Sequence, residues 1–398
     1  MRIIRLDGSP EAVDGLTAAL ADALDGGPAV LPLAAGAPLP AVVHDCGGSD
    51  LARTAGLDGA EPGGVLVATS GSTAEPRLVV LPPAALRASA DATASRLDGA
   101  ARWLLALPAD HVAGVQVIVR ALRGGGPPIV VDLRGGFRAD RFAAATAVLG
   151  PGLRCTSLVP TQLLRLLDAG GAALDALRGY AAVLVGGAAL DAALRERAEA
   201  AGVRVVATYG MTETAGGCVY DGVPLDGVRV DLEPDGRIML GGPTLAAGYL
   251  GRPAETQAAF GTDDRGERAF RTGDLGRWVD GRLEVAGRAD DVIVTGGEKV
   301  APAAVERVLA AQPGVRAACV VGLPDDEWGV VVAAALVVDP TAADPGRLRA
   351  AVRGELGRAA VPQVLRTVDA LPLRGIGKPD RAAVARLLAA LHAPPSMG

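Results

Sequence analysis

The stretch Val203-Arg204-Val205-Val206-Ala207-Thr208-Tyr209-Gly210-Met211-Thr212-Glu213-Thr214 decides how the chain is read. Its β-branched start predicts a buried strand over Val203–Val206, and the polar, glycine-containing run Ala207–Thr214 predicts a loop at the carboxyl end of that strand. The same texture recurs outward. Val65–Ala68, Ile129–Val131 and Val183–Val185 read as further buried strands, and Pro10–Leu24, Pro83–Leu97, Pro160–Asp168 and Asp191–Ala200 read as helices between them. Those helices open on Pro or Asp, as helix starts do. Alternation of this kind implies an α/β fold with mostly parallel, covered sheets. Ligands in such folds sit at the carboxyl ends of the strands. The 207–214 run is therefore a candidate site: Tyr209 offers a flat face, Thr212 a hydroxyl and Glu213 a hard oxygen ligand for Mg²⁺. The plain alternative is a helix N-terminus capped by threonines.

Near Gly287 the texture changes. The tight segment Val285-Ala286-Gly287-Arg288-Ala289-Asp290-Asp291 precedes a helix from Pro302, a strand at Ala317–Val321, a long strand at Val330–Val338, a helix near Leu348–Leu356 and a last helix from Asp380. This predicts a large N-terminal domain over residues 1–288 and a small α+β domain over 289–398. A length of 398 residues suits two domains, and 50% hydrophobic content supplies their cores. A net charge of −6 with 3% aromatics leaves no basic footprint or stacking platform for nucleic acid. Cys46, Cys155, Cys218 and Cys319 are scattered, as are His44, His111 and His392, which argues against a disulfide framework and a zinc site. The charged start Arg2-Ile3-Ile4-Arg5 is unlike a signal peptide, and no apolar run is long enough to span a bilayer. The expectation is a cytoplasmic protein without membrane or nucleic-acid partners.

Further segments carry chemistry. After the Val65–Ala68 strand comes Thr69-Ser70-Gly71-Ser72-Thr73-Ala74-Glu75-Pro76-Arg77, a turn rich in hydroxyls whose N–H groups can converge on an anion beside Arg77. It lacks the Gly-Lys-Ser/Thr ending of a Walker loop, and a plain Ser/Gly loop is the alternative. Arg271-Thr272-Gly273-Asp274-Leu275-Gly276 sets an aspartate in a Gly turn, where it can accept both hydroxyls of a ribose; two hairpin turns would read the same. Gly375-Ile376-Gly377-Lys378-Pro379-Asp380-Arg381 puts one lysine on a Gly-flanked loop, and a solvated lysine is the ordinary reading of it.

Taken in order, these motifs, with Gly287-Arg288-Ala289-Asp290-Asp291 and Gly296-Gly297-Glu298-Lys299, resemble the adenylate-forming acyl-CoA synthetase family over roughly residues 60–390. The resemblance implies an ATP-dependent acid–thiol ligase with Mg²⁺ and coenzyme A. A carboxylate attacks the α-phosphorus of ATP, giving an acyl-adenylate and pyrophosphate, and a thiol then displaces AMP. It implies that Thr69 to Thr73 and Arg77 hold the phosphates, Thr212 the α-phosphate and Glu213 the metal. Tyr209, with Gly210 and Met211 behind it, would pack on adenine against Gly186-Gly187-Ala188, for which a bare turn is the alternative. Asp274 and Arg288 would bind ribose, and Lys378 would bridge the developing charge. Asp290 matches the hinge of a swivelling C-terminal domain, whose rotation would exchange Lys378 for Gly296, Gly297, Glu298 and Lys299 at a coenzyme A tunnel.

Two more segments resemble the o-succinylbenzoate–CoA ligases of menaquinone biosynthesis: Leu107–Arg120, containing His111 and Arg120 as acid-pocket residues, and Ser157–Leu167. Arg120 follows the run Val115–Val119, where a charge is costly unless paired. A dicarboxylic acid would supply the partner; an arginine reaching solvent from a helix end would not need one. Three readings stay open: a ligase for o-succinylbenzoate, a ligase for another aryl or acyl acid, and a non-catalytic nucleotide-binding relative. A carrier-protein arm in place of coenzyme A, and a homodimer, also stay open. The chain departs from the family pattern at Ala74 and Arg77, where Gly and Lys are usual, which predicts a stiffer loop and slower adenylation. The phosphate loop also starts earlier than in most members, which implies a trimmed N-terminal portion.

Overall fold

A computed structural model describes residues 1–45, 63–69, 77–325, 327–339, 344–374 and 378–392. The chain forms two compact units, one of residues 1–190, 194–231 and 239–272, the other of 191–193, 232–238 and 273–398.

The first unit holds two sheets. In one, Arg2–Leu6, Val30–Ala34 and Val65–Thr69 run parallel, and Arg77–Leu81 and Gly248–Tyr249 complete it antiparallel. The other has seven strands in the order Val223–Pro224, Gly216–Tyr220, Val205–Met211, Ala182–Val185, Arg154–Leu158, Arg102–Leu105, Ile129–Val130. The last five are parallel, and the first two turn back antiparallel. Helices Pro83–Arg96, Val112–Arg123, Ala139–Ala147, Pro160–Ala169 and Gly171–Arg178 come from the connections. Leu104, Phe142, Leu158, Leu163, Leu166, Val183 and Val185 are fully buried in one cluster beneath them. Each such aliphatic side chain contributes about 1.5–3 kcal/mol on leaving water.

The α/β reading holds, with one correction. The strand at 203–206 extends over Val205–Met211, so Tyr209, Gly210 and Met211 lie in a strand, and only Thr212–Thr214 form the turn. The cause is Gly216–Tyr220, which pairs back along it with Gly217 opposite Gly210. Two glycines let those backbones close.

In the second unit, Val315–Asp325 and Gly329–Val338 form a long antiparallel pair joined in parallel by Val364–Thr367. Pro302–Ala310 and Pro345–Leu356 bury Val305, Leu309, Leu348 and Val352 against it, and Arg381–His392 buries Val384 and Leu388. Strand Arg268–Val279 carries the chain from the first unit into the second, and its later half pairs with Arg282–Arg288. By compactness the division thus falls at Thr272/Gly273, because the hairpin keeps Gly273–Arg288 with the C-terminal residues. Among the described residues no helix is long and apolar enough to cross a membrane.

Candidate active site

The parallel strands of the large sheet present their carboxyl ends on one edge, and four predicted features gather there. His111 is the N-cap of Val112–Arg123 after strand Arg102–Leu105. The loop before it is tied to the next strand by Gln162, whose amide donates to the Ala106 carbonyl at 2.8 Å and whose Oε1 accepts from Val159 N–H at 3.0 Å. Gln162 thereby explains the Val-Pro-Thr-Gln-Leu segment as a clamp between two strand ends. Gly186-Gly187-Ala188 leave strand Ala182–Val185, and a Cβ on Gly186 would meet the Thr208 side chain and lie 2.9 Å from its carbonyl oxygen. Only a glycine lets this turn sit so close to the strand carrying Tyr209.

The Thr212–Thr214 turn is built to hold its shape. Thr214 Oγ1 accepts from Met211 N–H at 3.0 Å and donates to the Gly216 carbonyl at 2.8 Å. Ala215 takes a left-handed φ of 51°, and its carbonyl accepts from Ser89 Oγ at 3.1 Å. The turn sets Glu213 in the interior, 7% exposed. Tyr249 Oη donates to Glu213 Oε1 at 2.9 Å, and Ala246 N–H donates to the Glu213 carbonyl at 2.8 Å. The Tyr249 ring lies beneath Arg77, with Cζ 4.7 Å from its centroid, and Arg77 also sits 3.7 Å from Glu255. Burial, and then the Glu213 charge, push the Tyr249 hydroxyl well above the ordinary tyrosine range, so it stays protonated. Arg77 and Glu213, 136 positions apart by number, are thus joined through a tyrosine that the sequence reading missed. No local signal marks Tyr249; its place depends on the pairing of Gly248–Tyr249 with Arg77–Leu81.

Glu213 suits a magnesium ion. Its second carboxylate oxygen carries no hydrogen bond among the described residues. Among them no group of three His, Cys, Asp or Glu forms a metal cage. One carboxylate completed by phosphate oxygens and water is the usual magnesium environment.

Arg120 is not at this edge. It lies roughly 13 Å along its helix from His111, at 1.5 Å per residue. It is 7% exposed, which removes the solvent-reaching alternative. Nη2 donates to Tyr220 Oη at 3.2 Å, Cζ lies 5.3 Å from the Trp103 ring centroid, and Nε has no partner among the described residues. A small cavity lined by Ala94, Leu97, Ala101 and Trp103 opens beside it. One helical turn back, buried Gln116 packs near Gly216, and its Oε1 has no partner among the described residues. The face of this helix therefore follows the strand Gly216–Tyr220, with Gln116 near Gly216 and Arg120 on Tyr220.

In the second unit, Asp274 and Arg288 are opposite residues of one hairpin, 3.5 Å apart, and Arg288 reaches Asp290 at 3.2 Å. The predicted ribose ligands and the predicted hinge residue are therefore one ionic cluster. Gly296 and Gly297, at φ 54° and 83°, make the two-residue turn between Ile293–Thr295 and Glu298–Val300, with Glu298 and Lys299 exposed. Lys378 pairs through its backbone with Arg374; its side chain lies outside what is described. Three residues on, Arg381 is held by Glu306 at 2.5 and 3.0 Å, by Asp291 at 3.1 Å and by the Val320 carbonyl at 2.7 Å. Thr69 ends strand Val65–Thr69, its hydroxyl 3.3 Å from the Arg77 carbonyl. Ser70, Gly71, Ser72, Thr73 and Ala74 lie outside the described residues.

The chain matches AMP-binding enzymes over residues 65–250 and the C-terminal domain of AMP-binding enzymes over 304–378. It is 46% identical over 331 residues to a probable 2-succinylbenzoate–CoA ligase of Mycobacterium tuberculosis, covering 82% of this chain and 84% of that protein. The chain belongs to the AMP-binding enzyme family. Solved members are similar in fold. O-succinylbenzoate CoA synthetase of Bacillus subtilis, in complex with the acyl-adenylate intermediate, matches with a TM-score of 0.68 and 28% identity, covering 80% of this chain and 68% of that one. The same enzyme with ATP and magnesium ion matches at 0.67 and 27%, covering 80% and 69%. As an AMP-binding enzyme the chain is an adenylate-forming CoA ligase, and the Arg77–Tyr249–Glu213 group falls inside or at the edge of the matched large domain.

Proposed function

We propose that this AMP-binding enzyme joins o-succinylbenzoate to coenzyme A through an acyl-adenylate, in the cytoplasm, as a step toward menaquinone. The observation that carries the acid is the 46% identity to a probable 2-succinylbenzoate–CoA ligase over most of both chains. The buried Arg120, with an unpartnered Nε, supports it by chemistry: it offers a dicarboxylic acid a counter-charge away from the reacting end.

In this reading the chain's work is positioning and neutralisation of charge. Arg77 and the Thr69–Thr73 segment bind the β- and γ-phosphates of ATP. Tyr209 packs on adenine, with Gly210 and Met211 carrying the strand past it and Gly186-Gly187-Ala188 as the opposite wall. Thr212 donates its hydroxyl to the α-phosphate, and Glu213 is the carboxylate that holds magnesium. Bound magnesium supplies neutralisation of phosphate charge. His111 lies at the mouth of the acid pocket, and Arg120 orients the second carboxylate. Asp274 and Arg288 accept and donate to the ribose hydroxyls. Lys378 stabilises charge between the attacking carboxylate and the α-phosphorus. Turning the residues after 288 about Asp290 then withdraws Lys378 and brings Gly296, Gly297, Glu298 and Lys299 to the pantetheine arm, a switch of the kind that separates two half-reactions.

Pyrophosphate release with MgATP and coenzyme A over a panel of acids tests the reading. The expected result is turnover with o-succinylbenzoate at least about a hundredfold above benzoate, which lacks the second carboxylate and so one charge-assisted contact. Equal turnover with a monocarboxylic acid refutes the substrate.

A further inference from the structure

The Arg77–Tyr249–Glu213 group contains one residue with no role in the chemistry so far. Tyr249 touches two functional side chains by two different interactions. Its hydroxyl donates to Glu213 Oε1 at 2.9 Å, and its ring face lies 4.7 Å from Arg77 Cζ. Its main chain is fixed independently: it pairs with Val79, its N–H donates to Thr256 Oγ1 at 2.9 Å, and its ring packs edge-on against Phe260 at 5.8 Å. Phe260 in turn lies 4.9 Å from Phe270. The tyrosine is therefore a rigid post, 2% exposed, rather than a side chain that follows its partners.

We propose that Tyr249 is the positioning residue that sets the metal carboxylate and the phosphate-side arginine at a fixed separation. The inference rests on the nucleotide reading above. Occupying Glu213 Oε1 with a hydroxyl donor leaves the other oxygen for the ion and fixes the carboxylate plane. A carboxylate free to rotate in a 3₁₀ turn would spend that freedom on each binding event. Groups that orient a metal ligand are typically worth about 10–100-fold in metal affinity. The ring does the second task. Arg77 has a distant carboxylate, Glu255 at 3.7 Å, and its buried Nε has no partner among the described residues. The aromatic face keeps the guanidinium over the end of the Arg77–Leu81 strand, without a second carboxylate that would compete with phosphate. The two tasks separate chemically, because phenylalanine keeps the face and loses the hydroxyl.

The full-length protein is titrated with Mn²⁺ in the presence of a non-hydrolysable ATP analogue, and free Mn²⁺ is read by electron paramagnetic resonance. Binding of the analogue without metal is measured separately by calorimetry. Tyr249→Phe is expected to weaken Mn²⁺ binding about tenfold and to leave metal-free analogue binding unchanged. Tyr249→Leu should weaken Mn²⁺ equally and also weaken the metal-free analogue about threefold, the share of the lost cation–π contact. Glu213→Gln should weaken Mn²⁺, and adding Tyr249→Phe to it should change nothing further, whereas a merely structural tyrosine would give additive losses. Mn²⁺ affinity within twofold of the wild type in Tyr249→Phe overturns the inference while the nucleotide reading stands. A wild-type protein that binds neither Mn²⁺ nor the analogue overturns both.

Discussion

Replacing Arg120 by leucine separates the fold's use of the guanidinium from the substrate's use of it. The change removes a 3.2 Å hydrogen bond to Tyr220 and a 5.3 Å contact with the Trp103 ring. A hydrogen bond from a charged donor is worth about 1.5–3 kcal/mol, and a cation–π contact about 0.5–2 kcal/mol. Against both stands the cost of holding a charge 7% exposed with Nε unpartnered, several kcal/mol per buried ion. These terms oppose each other, so stability should change by less than about 2 kcal/mol. The substrate term has no such offset. Losing one charge-assisted contact to a carboxylate costs about 1.5–3 kcal/mol, which is roughly 10- to 150-fold. The assay is steady-state pyrophosphate release with o-succinylbenzoate varied at saturating ATP and coenzyme A, beside a thermal melt. KM for the acid should rise by that factor, KM for ATP should hold, and monocarboxylic aryl acids should be used better than by the parent. A folded variant with an unchanged KM for o-succinylbenzoate removes Arg120 from the acid pocket.

Lys378→Ala should lower adenylation by about three orders of magnitude, the scale of one lost transition-state contact, and spare thioester formation from preformed acyl-adenylate; single-turnover assays of each half separate the two. Asp290→Pro should keep adenylation and depress thioester formation, because proline fixes φ where a pivot needs two backbone states; parallel loss of both halves in those assays would point to misfolding instead. Burial pushes the Cys155 thiol up to about 11 and those of Cys218 and Cys319 up to about 12. Because the folded values lie above the unfolded ones, their contribution to stability is whole below about pH 8.5 and is lost as pH rises toward 11–12. Denaturant melts at pH 8 and pH 10.5 should show lower stability at the higher pH, and a Ser variant at any one thiol should reduce the difference. Arg381→Leu leaves the partly exposed Glu306 and Asp291 without their shared cation and should destabilise the second unit by about 1–3 kcal/mol, the scale of lost hydrogen bonds to a charged group; a calorimetric scan that shows no shift contradicts this.

Much of the fold was legible because its signals are local. Pro10–Leu24 appears with the predicted limits, since Ser9 accepts from Ala12 N–H and Pro10 opens the helix. Strands hidden by their own residues were not legible. Val30–Ala34 contains Pro32, which ordinarily demotes a strand. The structure tolerates it because pairing with Val65–Thr69 involves Val30 alone. The charged start Arg2-Ile3-Ile4-Arg5 argues only against a signal peptide, and Arg2–Leu6 is a strand. Gly210 looked like a loop residue and is instead a close approach between two strands. At the site, the motif residues could be named one by one, but what joins them could not. Tyr249 reaches Glu213 across 36 positions, and Arg381 reaches Glu306 across 75. Such contacts follow from sheet registers and core packing that no single segment encodes.

A two-step ligase acting on a dicarboxylic aryl acid forms its adenylate before any thiol is needed. The most direct measurement is mass spectrometry of the enzyme mixed with MgATP and o-succinylbenzoate in the absence of coenzyme A, followed by its addition. An enzyme-bound acyl-adenylate at about one per chain is expected, with release of pyrophosphate, converted to the thioester and AMP when coenzyme A arrives. Thioester formed with ADP and phosphate as products, or no adenylate with this acid while another acid gives one, would contradict it.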